Sequence, residues 1–371
     1  MGDTKPKVVV GMSGGVDSSA AAWLLKQQGY DVTGVTMEFW SGAPEENGSA
    51  MSPAAADAAR VAEAIGIPHF VADFREVFSE KVIQYFVREY TLGRTPNPCV
   101  VCNRWVKWQA LLEKSRSMGI ELVATGHYAR IRRLAGGRLA LERSSVTAKD
   151  QTYALYNLTQ DQLAHTLFPI GELAKEQVRQ LAEEAGLPVA HKPDSQEICF
   201  IPDHDYVGYL KAVLGRSPDP GDFVDAHGKV LGRHNGIWHF TVGQRKGLGV
   251  TFGKPMFVKE IRPEKNQVVL GEADEMFGTR LLASHLNFMA EEGITGETEV
   301  TAKIRYSHAG APAILRMQGD DLAEYRFLEP VRAITPGQAV VFYRGDLVLG
   351  GGIIERRLDD EEQEARAVQP K

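Results

Sequence analysis

The segment that most constrains the fold is a polar, glycine-rich loop between a β-branched run and a helix-forming run. Lys7–Met12 reads KVVVGM, Ser13–Ser19 reads SGGVDSS, and Ala20–Gln28 is rich in Ala and Leu and is followed by Gly29. This order predicts a strand, a loop and a helix. The N–H groups of a first helical turn have no partners within the helix and bind phosphate oxygens readily. The segment therefore predicts a phosphate-binding site.

The residue types of the loop support this prediction. Gly14 and Gly15 allow the backbone to approach a ligand closely, and Asp17 fits beside a polyphosphate mainly as a partner of Mg²⁺. Hydroxyl donors come from Ser13, Ser18 and Ser19. The loop lacks the Lys-Ser/Thr ending of the common P-loop. The alternative interpretation is an ordinary capped helix start with glycines for the turn.

Further along, the first half of the chain repeats the alternation of strand and helix. Asp31–Met37 and Pro68–Ala72 are predicted strands, Ala54–Ile65 is a predicted helix that ends before Gly66, and Leu122–Thr125 is a later strand. Such alternation is typical of a parallel sheet, which binds ligands at the carboxyl ends of its strands. The phosphate loop, Met37 and Gly126–Tyr128 should converge there.

From about Asp205 the pattern changes to short strand-like runs. Ser217–Asp222 is dense in turn residues, and Phe223–Gly271 predicts a small β-rich domain. Five closely spaced β-prone stretches then predict a small barrel or sandwich: Glu299–Tyr306, Ala313–Gln318, Leu322–Phe327, Gln338–Tyr343 and Leu347–Ile354. We expect domains at 1–205, 206–275 and 276–357, followed by an acidic disordered tail at 358–371.

Composition narrows the class of protein. The 371 residues exceed what one hydrophobic core usually serves. A net charge of −6 argues against binding nucleic acid by bulk charge, although a local basic face remains open. We find no apolar run of membrane-spanning length and no signal peptide, which predicts a cytoplasmic protein. The 3 cysteines are too few for a disulfide scaffold, so they indicate structural, metal-binding or catalytic roles.

The SGGVDSS loop resembles that of the PP-loop family of ATP pyrophosphatases. The resemblance implies an α/β domain with a parallel sheet that binds ATP with Mg²⁺ as co-substrate and transfers AMP to a substrate oxygen. It implies nucleotide contacts from Gly11, Met12, Ser13, Gly14, Gly15, Val16, Asp17, Ser18, Ser19, Met37 and Gly126. Asp17 would also be catalytic. The loop alone does not choose the substrate.

Four more segments narrow the resemblance to the tRNA-specific 2-thiouridylase family. They are TPNPCVVCN at 95–103, GHYA at 126–129, KDQ at 149–151 and DSQEICF at 194–200. The family replaces the C2 oxygen of the wobble uridine with sulfur, in tRNA of the Lys, Glu and Gln type, using a persulfide donor or relay protein. The implied tRNA contacts are Asn97, Pro98, Cys99, His127, Lys149, Asp150, Gln151 and Gln338.

A basic and aromatic stretch in the barrel region adds candidates from the residues themselves. Lys303, Arg305, Tyr306 and Arg344 combine cations with an aromatic ring, which suits phosphate contact and base stacking. We expect Arg305 and Tyr306 to contact the tRNA. The alternative is an ordinary barrel face.

The chemistry of thiolation needs two thiols. ATP must first convert the uridine oxygen into a leaving group, and sulfur must then arrive as a nucleophile. By resemblance, Cys199 would carry the persulfide, and Cys102 would attack it, freeing sulfide or completing transfer with a Cys102–Cys199 disulfide. Cys99 stands where some family members have Asp, which puts an acid/base role in doubt.

Other roles for the cysteines stay open. Cys99 and Cys102 could be a redox pair, or with Cys199 they could hold a [4Fe–4S] cluster with one open iron. A zinc site would need more ligands, for which His191 is the obvious supplement. Two rival functions also remain: another PP-loop ligase acting on a metabolite, and an RNA-binding protein whose ATP loop is regulatory or vestigial.

Overall fold

The computed structural model describes residues 5–39, 52–193, 198–201, 203–250 and 253–358. Apart from Leu358, the acidic tail predicted at 358–371 lies outside these residues, as does the 194–197 part of the DSQEICF motif. The chain forms two compact units. The first takes the described parts of Met1–Ile83 and Cys99–Phe200 with Asp346–Val348, and the second takes Gln84–Pro98 and the described parts of Ile201–Gly345 and Leu349–Lys371.

The elements of the described residues follow in chain order. The α-helices are α1 (Val16–Gln27), α2 (Pro53–Ile65), α3 (Arg75–Phe78), α4 (Gln84–Thr91), α5 (Pro98–Cys102), α6 (Leu111–Ser117), α7 (Thr152–Leu155), α8 (Gln160–Ala164), α9 (Lys175–Glu184) and α10 (Tyr206–Leu214). The strands are β1 (Lys7–Gly11), β2 (Asp31–Glu38), β3 (His69–Asp73), β4 (Leu122–Ala124), β5 (Ala129–Arg133), β6 (Leu139–Arg143), β7 (Thr166–Leu167), β8 (Gly221–Val224), β9 (Val230–His234), β10 (Phe257–Arg262), β11 (Gln267–Gly271), β12 (Phe277–Phe288), β13 (Glu297–Lys303), β14 (Ala311–Gly319), β15 (Leu322–Arg332), β16 (Ala339–Arg344) and β17 (Leu347–Leu358).

A parallel sheet forms the centre of the first unit. Its strand order is β3-β2-β1-β4-β7, and every pairing is parallel. Val8, Val9 and Val10 of the central strand are fully buried, because a strand covered on both faces favours β-branched residues throughout. The predicted α/β fold with a parallel sheet is confirmed.

Of the two helices beside the phosphate loop, α2 agrees with its predicted bounds to within one residue, whereas α1 begins at Val16, four residues before the predicted start at Ala20, because the end of the SGGVDSS motif is itself helical. Gly15 is the N-cap of α1, and Asp17 lies in the first turn, where a negative charge interacts favourably with the helix dipole. Ser52 caps α2 by accepting a hydrogen bond from the N–H of Ala55, and Gly66 ends it in the left-handed conformation at φ 64°. The main core of the unit includes residues of both helices, of β1 and of the position that follows β1: Val8, Val10, Met12, Val16, Leu25 and Val61.

A less regular helix carries the first two cysteines. Cys102 ends α5, and Asn103–Ala110 continues it as a π-helix before α6 begins. The wider π-helical turn is uncommon and often marks functional sites. Sequence patterns did not predict this geometry, since a π-helix has no distinctive residue spacing.

The second unit is largely β-structure. Four strands form a sheet of order β10-β11-β8-β9, and six strands follow the order β12-β15-β14-β13-β16-β17 and close through pairing of β12 with β17. The predictions of a small β-rich region and a C-terminal barrel are confirmed. Sequence analysis missed the long strand Phe277–Phe288. No helix in the described ranges is long and apolar enough to cross a membrane.

Candidate active site and RNA-contact surface

The phosphate loop is held by close backbone packing on one side. Gly14 has φ +66°, and a Cβ there would lie 2.5 Å from the carbonyl oxygen of Ala54. Lys192 donates to the Gly14 carbonyl at 3.0 Å and to the Asp57 carboxylate at 2.6 Å. The hydrogen bond from Lys192, with help from Arg60, lowers the pKa of Asp57. A cation 178 positions away in sequence therefore fixes the conformation of the loop.

The serine hydroxyls tie the loop to the start of α1. Ser19 Oγ donates to the Gly15 carbonyl at 2.8 Å, and Ser18 Oγ donates to the same carbonyl at 3.2 Å. Ser18 Oγ also accepts from the backbone N–H of Ser13 at 3.2 Å. These bonds shape the loop, and the backbone N–H groups of the first helical turn are left to face an anion.

Asp17 is held by a lysine and a tyrosine. Lys175 Nζ donates to its two carboxylate oxygens at 2.7 and 2.8 Å, and the Tyr128 hydroxyl donates to Oδ1 at 2.7 Å. The Lys175 side chain is only 8% exposed and that of Asp17 is 30% exposed. A lysine thus neutralises the carboxylate that the sequence assigned to Mg²⁺, and it places a buried positive charge beside the phosphate loop.

The carboxyl ends of three strands meet at this loop. A Cβ on Gly126 would lie 2.5 Å from the Asp17 carbonyl carbon and from the Ser18 nitrogen, so only glycine fits there. Met37 Cε lies 3.3 Å from the ideal Cβ position of Gly11. The structure therefore brings together Gly11, Met37 and Gly126, three of the residues for which the family resemblance implies nucleotide contacts.

A pair of polar side chains, the buried Thr36 and the half-buried His69, supports the same region. Thr36 Oγ1 donates to the Met12 carbonyl at 3.0 Å and lies 2.9 Å from His69 Nε2. Because the single hydroxyl proton is used on Met12, His69 donates from Nε2. Burial lowers the pKa of His69, which keeps it neutral. Sequence analysis did not identify this pair.

The three cysteines lie in the first unit in unlike environments. Cys102 is buried, whereas Cys99 and Cys199 are exposed, and all three are free thiols. Desolvation raises the pKa of Cys102 to about 12 and that of Cys199 to about 11, although the surface of Cys199 reaches solvent. The Lys107 charge opposes both shifts, and a negative charge on Cys99 would reinforce both. The three thiols are therefore close enough to interact electrostatically.

The cysteines do not form a metal site in the described residues. Within those ranges, no group of three or more His, Cys, Asp or Glu side chains is arranged to hold a metal ion. His191, the supplement considered for zinc, has a side chain that is 88% exposed and lies 3.6 Å from Glu183. Among the residues that the structure describes, the donor set therefore does not fit the cluster or the zinc interpretation.

The GHYA and KDQ segments pack against each other. The Gln151 side chain accepts from the Tyr128 N–H at 2.9 Å, and Asp150 is buried and accepts from the Thr152 hydroxyl at 2.8 Å. Gln151 thus supports the turn that carries Gly126, whereas Asp150 holds the start of the next helix and the loop at Ser144. Lys149 is half-buried and remains a predicted tRNA contact.

His127 is packed between aromatic rings. Its Nδ1 lies 2.8 Å from Thr125 Oγ1, and its ring centroid lies 5.3 Å from that of Trp108. Burial, together with the Lys107 charge, lowers the pKa of His127 well below its ordinary value. His127 is therefore neutral and serves as a hydrogen-bonding or stacking group.

In the second unit, the predicted tRNA residues lie in two places. Asn97 is half-buried and Pro98 is buried on the segment before Cys99, and Gln338 donates to the carbonyl of Thr95 on that same segment at 2.9 Å. Arg305 and Tyr306 lie elsewhere on the barrel, with Tyr306 49% exposed.

Arginines around Arg305 form a basic surface. Arg305 Nη1 donates to the Arg332 carbonyl at 2.8 Å. The Arg332 and Arg245 guanidinium carbons lie 5.1 and 6.0 Å from the centroid of the Phe257 ring. Among the described side chains, no carboxylate pairs with these three arginines. We call Arg245, Arg305 and Arg332 the arginine surface, and its unneutralised charge suits a phosphate backbone.

Sequence reasoning missed several residues that shape the site. Lys175 and Lys192 reach the phosphate loop from distant parts of the chain, so no local motif joins them to it. Lys107 follows Cys102 closely in the sequence, but its spacing did not indicate an effect on the pKa values of the thiols.

Three family models cover most of the chain. The tRNA methyl transferase HUP domain matches residues 6–203, the tRNA methyl transferase PRC-barrel domain matches 208–272, and the aminomethyltransferase beta-barrel domain matches 278–354. Fold, loop and match together define a HUP-domain protein of the PP-loop class with two appended β-domains.

Relatives identify the family within that class. A tRNA-specific 2-thiouridylase MnmA of Lachnoclostridium phytofermentans is 56% identical over 94% of this chain and 99% of its own length. Proteins of the same name from Clostridioides difficile and Carboxydothermus hydrogenoformans are 52% and 53% identical over 95% of this chain and 99% of their own lengths. The chain belongs to the MnmA family of tRNA-specific 2-thiouridylases.

Proposed function

We propose that this protein is an ATP-dependent tRNA-uridine 2-sulfurtransferase that forms 2-thiouridine at the wobble position. The observation that carries the proposal is the presence in one unit of a phosphate loop and two unlike thiols, the exposed Cys199 and the buried Cys102. The family's substrate is transferred to this chain on its high identity over nearly the whole length. We infer tRNA of the Lys, Glu and Gln type as substrate and a cytoplasmic location.

The first half of the reaction is adenylation. The N–H groups at the start of α1 would bind the phosphates of ATP, with Mg²⁺ brought by the nucleotide. The uridine C2 oxygen attacks the α-phosphate, pyrophosphate leaves, and C2 then bears an AMP leaving group. Lys175 is placed to offset negative charge on the phosphates while it holds Asp17. Met37 and Gly126 would face the adenosine.

The second half transfers sulfur. A persulfide donor or relay protein places a sulfane sulfur on Cys199, whose exposure admits such a partner. The terminal sulfur attacks C2 and displaces AMP, which leaves a disulfide bond between Cys199 and the uridine sulfur. The Cys102 thiol then attacks Cys199 Sγ and its proton passes to the departing nucleoside, which releases neutral 2-thiouridine and forms a Cys102–Cys199 disulfide. A dithiol reductant must supply two electrons to restore both thiols.

The tRNA would contact both units. We infer contacts from Asn97, Pro98, Cys99, His127 and Lys149 around the target base, and from Arg305 and Tyr306 on the barrel. We also infer tRNA phosphate contacts from the other two residues of the arginine surface, Arg245 and Arg332. We also infer functional domains at 1–205, 206–275 and 276–357.

The test is a reconstituted reaction with a wobble-uridine tRNA transcript, ATP and a chemical persulfide donor. We expect pyrophosphate release that depends on tRNA, and 2-thiouridine in the digested tRNA by mass spectrometry. Cys199→Ser should abolish 2-thiouridine but leave pyrophosphate release measurable. Retention of 2-thiouridine by this variant would contradict the persulfide assignment. Metal and acid-labile sulfide analysis of anaerobically purified protein tests the cluster alternative.

The same assay separates the rival functions. A metabolite ligase of the PP-loop class would release pyrophosphate without tRNA and would keep its activity after Cys102→Ser and Cys199→Ser. An RNA-binding protein with a vestigial loop would bind the anticodon arm but release no pyrophosphate.

A further inference from the structure

A short segment of the second unit precedes Cys99 and is fastened to the barrel. The Thr95 N–H donates to the Pro336 carbonyl at 2.9 Å, and Gln338 Nε2 donates to the Thr95 carbonyl at 2.9 Å. Gln338 Nε2 also lies 3.5 Å from the Pro96 carbonyl. Both groups that face the Gln338 amide are carbonyl acceptors, so its NH₂ end must point toward them. We call residues 94–98 the presenting segment.

The backbone of the barrel approaches this segment too closely for any other residue at position 337. Gly337 has φ +89°, and a Cβ there would lie 2.9 Å from the Thr95 nitrogen and 3.0 Å from its oxygen. The turn Pro336–Gln338 is itself fixed to β17, because Gly337 N–H donates to the Ile354 carbonyl at 2.9 Å and Ile354 N–H donates to the Gln338 carbonyl at 2.8 Å. The contact is therefore built into the barrel.

An ion network secures the start of the segment. Arg94 lies 2.7 Å from a Glu89 carboxylate oxygen and 2.6 Å from Glu355 of β17. The Glu355 carboxylate also accepts from the Ser284 hydroxyl on β12. Burial alone would raise the pKa of Glu355, but the bonds from Arg94 and Ser284 outweigh it and lower the pKa. The network thus stays charged at neutral pH and joins the segment to two barrel strands.

We propose that Gln338 is a positioning residue: its carboxamide sets the conformation of the presenting segment and thereby the placement of Asn97, Pro98 and Cys99 toward the target base. The role of Asn97, Pro98 and Cys99 in this inference rests on the proposed function. The anchor, by which we mean the hydrogen bond from Gln338 to the Thr95 carbonyl, does not depend on it. It gives Gln338 a different task from the direct tRNA contact expected from the sequence. If Gln338 only bound tRNA, its amide would have no reason to face the Thr95 and Pro96 carbonyls of the presenting segment.

The variants Gln338→Met and Gln338→Glu test the proposal, because both remove the donor and keep the length of the side chain. Gln318→Met is the matched control, since Gln318 is an exposed barrel glutamine that donates to Glu324 at 2.9 Å. Hydrogen exchange of the free, full-length protein measures how well the segment is held in the absence of tRNA. We expect amides in residues 92–97 to exchange about fivefold faster in both Gln338 variants, as loss of one hydrogen bond predicts, and to be unchanged in the control.

Steady-state thiolation kinetics measure the effect of the altered segment on the reaction. A positioning role predicts that Gln338→Met lowers kcat about tenfold while the KM for tRNA changes less than about twofold, since misplacement affects the reacting geometry more than binding. Unchanged exchange, or a raised KM with normal kcat, would overturn the proposal and return Gln338 to direct tRNA contact. If the unsubstituted protein formed no 2-thiouridine while exchange still rose in both variants, the proposed function would fail and the anchor would stand.

Discussion

Lys175 at the start of α9 donates to both carboxylate oxygens of Asp17 in the phosphate loop, at 2.7 and 2.8 Å. The two residues are 158 positions apart in sequence, and α1 and α9 pack against each other to bring them together. The pair explains how a carboxylate can lie beside bound phosphates: its charge is already compensated.

Lys175→Met should therefore weaken both folding and adenylation. We expect the free energy of unfolding to fall by about 2 kcal/mol, because the variant leaves a half-buried carboxylate without its cation. Pyrophosphate release should fall by more than the loss of folded protein explains. Chemical denaturation and a tRNA-dependent pyrophosphate assay measure the two effects.

A double-mutant cycle supplies the control. Adding Asp17→Asn to Lys175→Met should restore most of the stability, since no unpaired charge remains, but it should not restore activity. Restored activity in the double variant would show that the pair is only structural.

Gly126→Ala should damage the phosphate loop through sterics alone. The new Cβ would lie 2.5 Å from backbone atoms of Asp17 and Ser18, which cannot move without displacing the start of α1. We expect ATP to bind at least ~10-fold more weakly, equivalent to about 1.4 kcal/mol, in an isothermal titration. Gly136→Ala is the matched control, because nothing lies within 4 Å of a Cβ there. Equal ATP affinity in both variants would contradict the close approach.

The raised pKa of Cys199 predicts how its reactivity depends on pH. With a pKa of about 11, the thiol is almost wholly protonated at neutral pH, and the reactive thiolate fraction rises about tenfold per pH unit until the pKa is reached. In the Cys99→Ser, Cys102→Ser background, alkylation by iodoacetamide should therefore accelerate continuously from pH 7 to pH 10.

A substitution at Lys107 tests the same pKa of Cys199 independently. The positive charge of Lys107 lowers the pKa of Cys199, so Lys107→Met should raise the pKa and slow alkylation at every pH below it. A plateau in the rate below about pH 9 in the unsubstituted Lys107 background would mean that the thiol is not held protonated by its surroundings.

The arginine surface predicts a change in the salt dependence of tRNA binding. Each phosphate contact contributes ~0.7 to ~0.9 to the slope of log affinity against log salt. Arg245→Ala, Arg305→Ala and Arg332→Ala should each reduce that slope by about this amount in a filter-binding or anisotropy titration. Arg326→Ala, an exposed arginine elsewhere on β15, should leave the slope unchanged. A uniform slope across all four variants would place the tRNA on another face.

Much of the fold could be predicted from local sequence. The run KVVVGM followed by SGGVDSS determined β1, the phosphate loop and α1, because β-branched spacing, loop glycines and helix-forming residues act over a few positions. The barrel strands were predicted from alternation and turns, but Phe277–Phe288 was missed because its pattern is interrupted by Gly278 and by polar residues such as His285 and Asn287. The π-helix after Cys102 has no local signature.

The sequence by itself determined which residue types are present for chemistry: a phosphate loop, three thiols and a family-specific set of motifs. Only the tertiary structure decided their partners. Lys175 pairs with Asp17, Lys192 with Gly14, and Gln338 with the Thr95 carbonyl, across 158, 178 and 243 positions. Contacts over such separations depend on how sheets and helices pack, and no local pattern records them. Burial, which raises the pKa of Cys102 and Cys199, is likewise a property of the packed unit.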